Sequence, residues 1–353
     1  MGGGNRGTGP AGGGVTDPAG ALAVGIDVGG TKVAGGVVDP DGRVLALTRA
    51  DTPATDVTRT RDVIVDMVRE LASAHPVAAV GVGAAGWVDA DRATVSFAPH
   101  LAWRAEPLRD RLAAAVDLPV VVENDANAAA WAEFQFGAAR EPNRDRSGAG
   151  RTGGADPMVA DPMVLVTVGT GIGGGIVLDG GLVRGAHGYA GEPGHQVVVP
   201  DGHPCSCGRR GCLEQYASGA ALVRFVRAGA AADPAAAAAL RELAGDPEQL
   251  TGPLVTTAAR AGDKLARDAF DQVGRWLGVG LADLVQLLDP ALLVIGGGVA
   301  EAGELLLAPT RTAYRDALAR RGALPAAEIR AALLGTAAGV VGAADLARGG
   351  RRS

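Results

Sequence analysis

All three cysteines of the chain lie within Cys205-Ser-Cys207-Gly-Arg-Arg-Gly-Cys212, and His195 stands ten residues before the first, in Gly191-Glu-Pro-Gly-His195. One imidazole and three thiolates complete a tetrahedral set for Zn²⁺. Four protein ligands leave no open position, so such a site would be structural. A Cys205–Cys212 disulfide or free thiols are the competing reading. His203 is a rival nitrogen ligand, awkwardly placed only two residues before Cys205. The gathering of every cysteine in one short segment favours zinc.

A second group of candidates sits where an apolar strand, Leu118–Asn124 (LPVVVEN), runs directly into a helical stretch beginning at Asp125. Asn and Asp are favoured N-caps, and capping alone would account for one of Asn124 and Asp125. The alternative is a carboxylate at the carboxyl edge of a sheet, where α/β proteins bind ligands, taking a proton from a hydroxyl that attacks a phosphoryl group. Glu123 belongs to the strand end and has the weaker claim. Glu192 and Glu214 flank the cysteine cluster. A metal folding Gly191–Glu214 into one compact loop would turn both carboxylates toward a shared pocket, where acceptor-only groups suit sugar hydroxyls. His195 could hold zinc through one ring nitrogen and donate to a hydroxyl through the other. His75 and His187 have no such case and read as loop residues.

Glycine supplies the third kind of candidate. Ala23–Asp39 (AVGIDVGGTKVAGGVVD) and Met163–Asp179 (MVLVTVGTGIGGGIVLD) match at an offset of 140 residues, aligning Gly29 with Gly169, Gly35 with Gly175 and Asp39 with Asp179. Each copy is an apolar run, a glycine turn, a second apolar run and an Asp. That is a hairpin pattern whose glycines let backbone approach a ligand closely. Gly169–Gly174 formally fits G-x-G-x-x-G, but a strand follows it rather than a helix, and no Walker A pattern surrounds Gly29–Lys32. Backbone N–H groups offered to phosphate oxygens, with the Thr31 and Thr170 hydroxyls nearby, remain. Asp27 could organise Mg²⁺ through water, or be an ordinary strand-end turn residue.

Positioning these groups requires two related α/β units facing each other across a cleft, since the hairpin occurs twice and strand-like and helix-like patterns alternate between the copies. The chain of 353 residues is long enough for two domains. Its 55 glycines follow no collagen period, its net charge of −6 argues against a general nucleic-acid binder or a basic membrane-surface protein, and its odd cysteine count argues against a disulfide scaffold. Residues 1–20 contain no apolar core of a secretory signal and read as a disordered Gly-rich tail. Residues 138–162, with DPMV at both 156–159 and 161–164, read as a loop insertion. The expected domains are 21–137, completed by a last helix near 337–349, and 163–336, which carries the zinc loop. A cytoplasmic location is expected.

Asp27-Val-Gly-Gly-Thr-Lys32, Glu123-Asn-Asp125, Val168–Gly175, Gly191-Glu-Pro-Gly-His195 and Cys205–Glu214 occur in the order seen in ROK-family sugar kinases, and the resemblance runs from about Ala21 to Gly349. Cys205–Gly219 most resembles the actinobacterial ATP-dependent glucokinases of that family. The resemblance implies two duplicated actin/hexokinase-like (ribonuclease H-like) domains around a central cleft. It implies Asp125 as catalytic base, with Gly86, Asn124, Asp125, Glu192, His195 and Glu214 binding sugar. It implies a zinc set of His195, Cys205, Cys207 and Cys212. Asp27, Gly30, Thr31, Lys32, Thr170, Gly171 and Gly297 would face the nucleotide, ATP with Mg²⁺. The implied reaction is phosphorylation of a hexose, with glucose the leading acceptor and a homo-oligomer (dimer or tetramer) the expected assembly. N-acetylmannosamine or fructose as acceptor, polyphosphate as donor, and a sugar-sensing regulator are the alternatives. Only about twenty glycine-rich residues precede the first motif, where ROK repressors carry a DNA-binding domain. Two departures stand out: Ala85 replaces a proline usual in relatives, and His100 and Ala105 lie where relatives commonly carry asparagine.

Overall fold

The computed structural model describes residues 20–140, 159–246, 249–319, 322 and 325–349. The tail expected at 1–20 lies outside the described residues except for Gly20, as does 141–158 of the expected insertion.

The first half opens with β1 (Leu22–Val28), β2 (Lys32–Val38), β3 (Val44–Asp51), α1 (Val57–Ala74) and β4 (Val77–Ala84). A small sheet of β5 (Trp87–Val88), β6 (Val95–Phe97) and β7 (Arg104–Glu106) follows, then α2 (Leu108–Val116), β8 (Val120–Asn124) and α3 (Asp125–Phe136). The second half opens with β9 (Met163–Val168), β10 (Ile172–Leu178) and β11 (Gly181–Leu182). A helical run comes next: α4 (Glu214–Ala217), α5 (Gly219–Ala232), α6 (Ala238–Ala244), α7 (Gly252–Arg260) and α8 (Lys264–Leu288). β12 (Leu292–Gly296), α9 (Glu304–Leu318), β13 (Glu328–Ala331) and α10 (Ala338–Ala347) complete it.

The two large sheets run β3-β2-β1-β4-β8 and β11-β10-β9-β12-β13. In each, the opening hairpin and third strand are antiparallel and the last two strands are parallel additions. Identical wiring makes the sequence repeat a structural duplication, and the molecule has the actin-like two-domain α/β fold. The duplication is not in strict register. Val28 pairs with Val33 across Gly29–Lys32, whereas Val168 pairs with Ile172 across the shorter Gly169–Gly171 turn. Gly35 therefore faces Ile26 while Gly175 faces Leu165, one position short of the sequence offset.

Burial follows strand position. β12 is buried throughout, as a parallel strand covered on both faces must be, while β3 alternates between half-buried and exposed along an edge. α10 crosses back onto the first sheet, and a Cβ added to Gly81 would overlap the Ala343 carbonyl; glycine is what lets helix and strand backbones touch there. Trp131 Nε1 donates to Asp345 Oδ2 at 2.8 Å, and Arg348 donates to both Asp345 and the Val38 carbonyl, each at 2.9 Å. Three elements are thereby tied through one buried, fully partnered carboxylate.

The described edges of the 138–162 segment are packed into the fold, although 159–162 carry no helix or strand. Ala138–Arg140 form one 3₁₀ turn, Ala138, Ala139, Val159 and Ala160 are buried, and Ala160 N donates to the Ala139 carbonyl at 2.9 Å. This joins the two edges and confines the insertion to the residues between them. Among the described residues, no helix is long and apolar enough to cross a membrane.

Candidate active site and metal centre

The junction of β8 and α3 separates the two candidates that spacing alone could not. Asn124 is the N-cap: its Oδ1 accepts the Asn127 N–H at 2.9 Å, and its Nδ2 donates to the Gly86 carbonyl at 3.0 Å. Asp125 is the first helical residue, with Oδ1 accepting from Ala126 N at 2.9 Å. The cap is accounted for, and the Asp125 carboxylate is left for chemistry.

Two adjoining recesses meet at Asp125. The larger, about 250 Å³, is lined among others by Gly86, Asn124, Glu192, His195, Glu214, Thr170 and Gly171. The smaller, about 200 Å³, is lined by Asp27, Glu133, Thr336, Gly339 and neighbouring small residues. Asp125, Ala126, Thr167 and Gly297 belong to both. Burial raises the pKa of Asp125; hydrogen bonds from the Ala126 and Asp125 N–H groups and the charge of His100 oppose that shift. Asp27 is pushed up to about 7 by burial and then by the Asp125 charge. Glu192 also reaches about 7, through burial, then Asp125 and Glu214, against an opposing hydrogen bond from Trp87. Several carboxylates crowd one recess, an arrangement suited to hydroxyl ligands and to a divalent metal with a phosphate chain.

Glu214 links this space to the cysteine loop. Its Oε2 accepts the Ile172 N–H at 3.0 Å, against the turn of the second hairpin, and its Oε1 lies 3.6 Å from Cys205 Sγ. The ligand atoms of His195, Cys205, Cys207 and Cys212 all fall within 4.8 Å of one another. Cys205 Sγ is 3.7 Å from His195 Nδ1, and Cys207 Sγ is 3.7 Å from Cys212 Sγ. Zn–S bonds of about 2.3 Å in a tetrahedron place sulfurs roughly 3.7 Å apart, so the spacing fits zinc. A disulfide requires about 2.05 Å, and all three thiols are free. Burial, followed by the neighbouring thiols, pushes Cys212 up to about 12, so this thiol ionises only with a cation to balance it. His203 lies outside the four, its ring against Tyr216 at 5.3 Å between centroids.

Most of the expected site residues converge, but the first hairpin turn does not. Gly30, Thr31 and Lys32 line neither recess. Gly30 packs against His100, Thr31 and Lys32 are exposed, and the Thr31 carbonyl accepts from Thr52 N at 3.0 Å. Sequence reasoning does not single out Trp87, Phe97 or Arg184, and gives Glu123 only the weaker claim. Trp87 and Phe97 line the larger recess, with ring centroids 5.4 Å apart, and Trp87 meets His195 edge-on at 6.4 Å. In a chain with only 3% aromatics, a tryptophan directly after Gly86 was the available signal. Glu123 and Arg184 form a buried ion pair, which nothing in their spacing announced.

The ROK family model matches residues 23–144 and 155–349. The chain is 45% identical over 328 residues to the glucokinase of Streptomyces coelicolor, covering 93% of this chain and 98% of that protein. It is 34% identical over 329 residues to an N-acetylmannosamine kinase of Escherichia coli, covering 92% and 97%. Among solved structures it resembles a ROK-family glucokinase from Streptomyces griseus in complex with glucose and AMPPNP. That match has a TM-score of 0.83 and 48% identity, and covers 93% of this chain and all of that one.

Proposed function

The chain belongs to the ROK family, and from that membership and the cleft we propose that it is an ATP-dependent glucokinase, moving the γ-phosphoryl group of ATP to the 6-hydroxyl of glucose. The observation that carries this reading is Asp125 at the meeting point of two recesses, one rich in sugar-type acceptors and the other in small residues around Asp27.

Asp125 takes the proton of the 6-hydroxyl as its oxygen bonds to phosphorus and the bond to the β-phosphate oxygen breaks. Burial raises the pKa of this carboxylate above the ordinary value, which makes it a stronger base toward the hydroxyl proton. Glu192, Glu214 and His195 hold sugar hydroxyls from the second half, while Asn124 and the Gly86 backbone hold them from the first. The Thr170–Gly171 turn and Gly297 border the path of the transferred group, and backbone N–H groups there suit phosphoryl oxygens. Asp27 fits a group that helps hold Mg²⁺, which when bound neutralises phosphate charge. His195, Cys205, Cys207 and Cys212 would hold zinc, which when bound cross-links the loop that presents Glu192 and Glu214. Closure of the two halves on bound sugar would keep water from competing as acceptor.

Asp125→Asn tests the base. The variant should bind glucose with wild-type affinity by calorimetry and lose about 10²–10⁴ in turnover. A folded Asp125→Asn enzyme with near-normal turnover contradicts the assignment.

A further inference from the structure

Glu123 has no part in the transfer described above, yet its side chain is 1% exposed. Its Oε1 accepts from the Asn124 backbone N–H at 2.9 Å and from Asn127 Nδ2 at 3.2 Å. Its Oε2 lies 3.0 Å from Arg92 Nε and 2.8 Å from Arg184 Nε. Arg92 comes from the turn between β5 and β6. Arg184 comes from the other half, on the segment that leaves β11 for Glu192 and His195.

Arg184 is held at both ends of its guanidinium. Besides the ion pair, it donates to the Ala90 and Asp89 carbonyls, each at 2.8 Å. The rest of its segment follows the same surface. Gly188 has φ +90, and any side chain there would overlap the Val88 carbonyl. Ser96 Oγ and Tyr189 Oη are 2.8 Å apart. None of Glu123, Arg92 and Arg184 lines either recess.

We propose that Glu123 and Arg184 are positioning residues for the sugar: their pair fixes the strand end bearing Asn124 and Asp125 relative to the segment bearing Glu192 and His195. Enclosing these charges brings little net stability, because desolvation offsets the attraction. What it does supply is geometry. Sugar groups contributed by separate halves must agree to within a fraction of an ångström before the sugar arrives, and misplacement at that scale costs binding and rate. The nucleotide side draws on α3 but hangs mostly from other elements, Asp27 on β1, Gly297 after β12 and Gly339 on α10, so it depends on the pair less than the sugar side does.

This inference rests on the glucokinase reading, and steady-state kinetics with glucose and ATP varied separately tests the two independently. Wild-type enzyme is measured first; failure to phosphorylate glucose overturns the kinase reading itself. Given wild-type turnover, Arg184→Met and Glu123→Gln should each raise the glucose KM about tenfold or more while the ATP KM stays within about twofold. The double variant should be little worse than either single one, because both break the same contact. Arg184→Lys, which keeps the buried charge and the fold, should raise the glucose KM less than Arg184→Met and also leave ATP unaffected. An unchanged glucose KM in folded Arg184→Lys and Glu123→Gln enzymes overturns the inference, and so does a parallel rise in both KM values.

Discussion

Asp125 and Asn124 are chemically similar neighbours given different work by one turn of backbone. Asn124, extended at the end of β8, turns its amide back to the helix and to Gly86, and Asp125 enters the cleft as α3 begins. Spacing could name the pair but not divide it, because both residue types cap helices equally well. Asp27 shows the electrostatic consequence of gathering acids here. Its folded-state pKa of about 7 lies above the ordinary 3.8, through burial and the Asp125 charge. Stability from its protonated form is therefore complete below about pH 4 and is lost as pH rises through 7. Asp27→Asn, which cannot ionise, should match wild type near pH 4. In ligand-free protein at pH 8 it should be more stable by roughly 4 kcal/mol, read from denaturant midpoints. A variant no more stable than wild type at pH 8 contradicts the burial of a charge at this position.

At the scale of elements, the two glycine hairpins and the cysteine loop were legible because each has a local signature: period-two apolar runs around glycine turns, and all the cysteines within one short segment. What local pattern could not convey was register and docking. The second turn is one residue shorter than the first, and the first turn packs on His100 instead of lining the cleft. The Glu123–Arg184 pair joins residues 61 positions apart across the two halves, a contact set by folding and invisible to spacing. The cysteine loop makes its own prediction. Glu214 sits between Cys205 and the Ile172 N–H, so loosening the proposed zinc set should disturb this proposed sugar-binding carboxylate directly. Cys207→Ser should lose bound zinc, measured by atomic absorption, and raise the glucose KM about tenfold with a smaller effect on ATP. Unchanged metal content in that variant contradicts the cluster.

At the scale of the whole molecule, the duplicated sheets explain why the cleft has two recesses with one carboxylate between them. Each half brings the ends of its parallel strands to the middle, where α/β folds place ligands. α10 returns to the first sheet and contributes Gly339 beside Asp27, so the C-terminal segment completes the smaller recess. This architecture was foreseeable from a repeat of one hairpin, since a hairpin with parallel additions cannot bury its faces alone and a second copy supplies the facing wall. In the proposed function the larger recess takes the acceptor and the smaller the donor, so the proposal is tested most directly by product formation with both varied. Glucose, N-acetylmannosamine, mannose and fructose should be assayed against ATP and polyphosphate, with products identified by phosphorus NMR. Glucose with ATP should give glucose 6-phosphate with the highest kcat/KM of the matrix. A higher kcat/KM for N-acetylmannosamine, or for polyphosphate in place of ATP, would contradict the account.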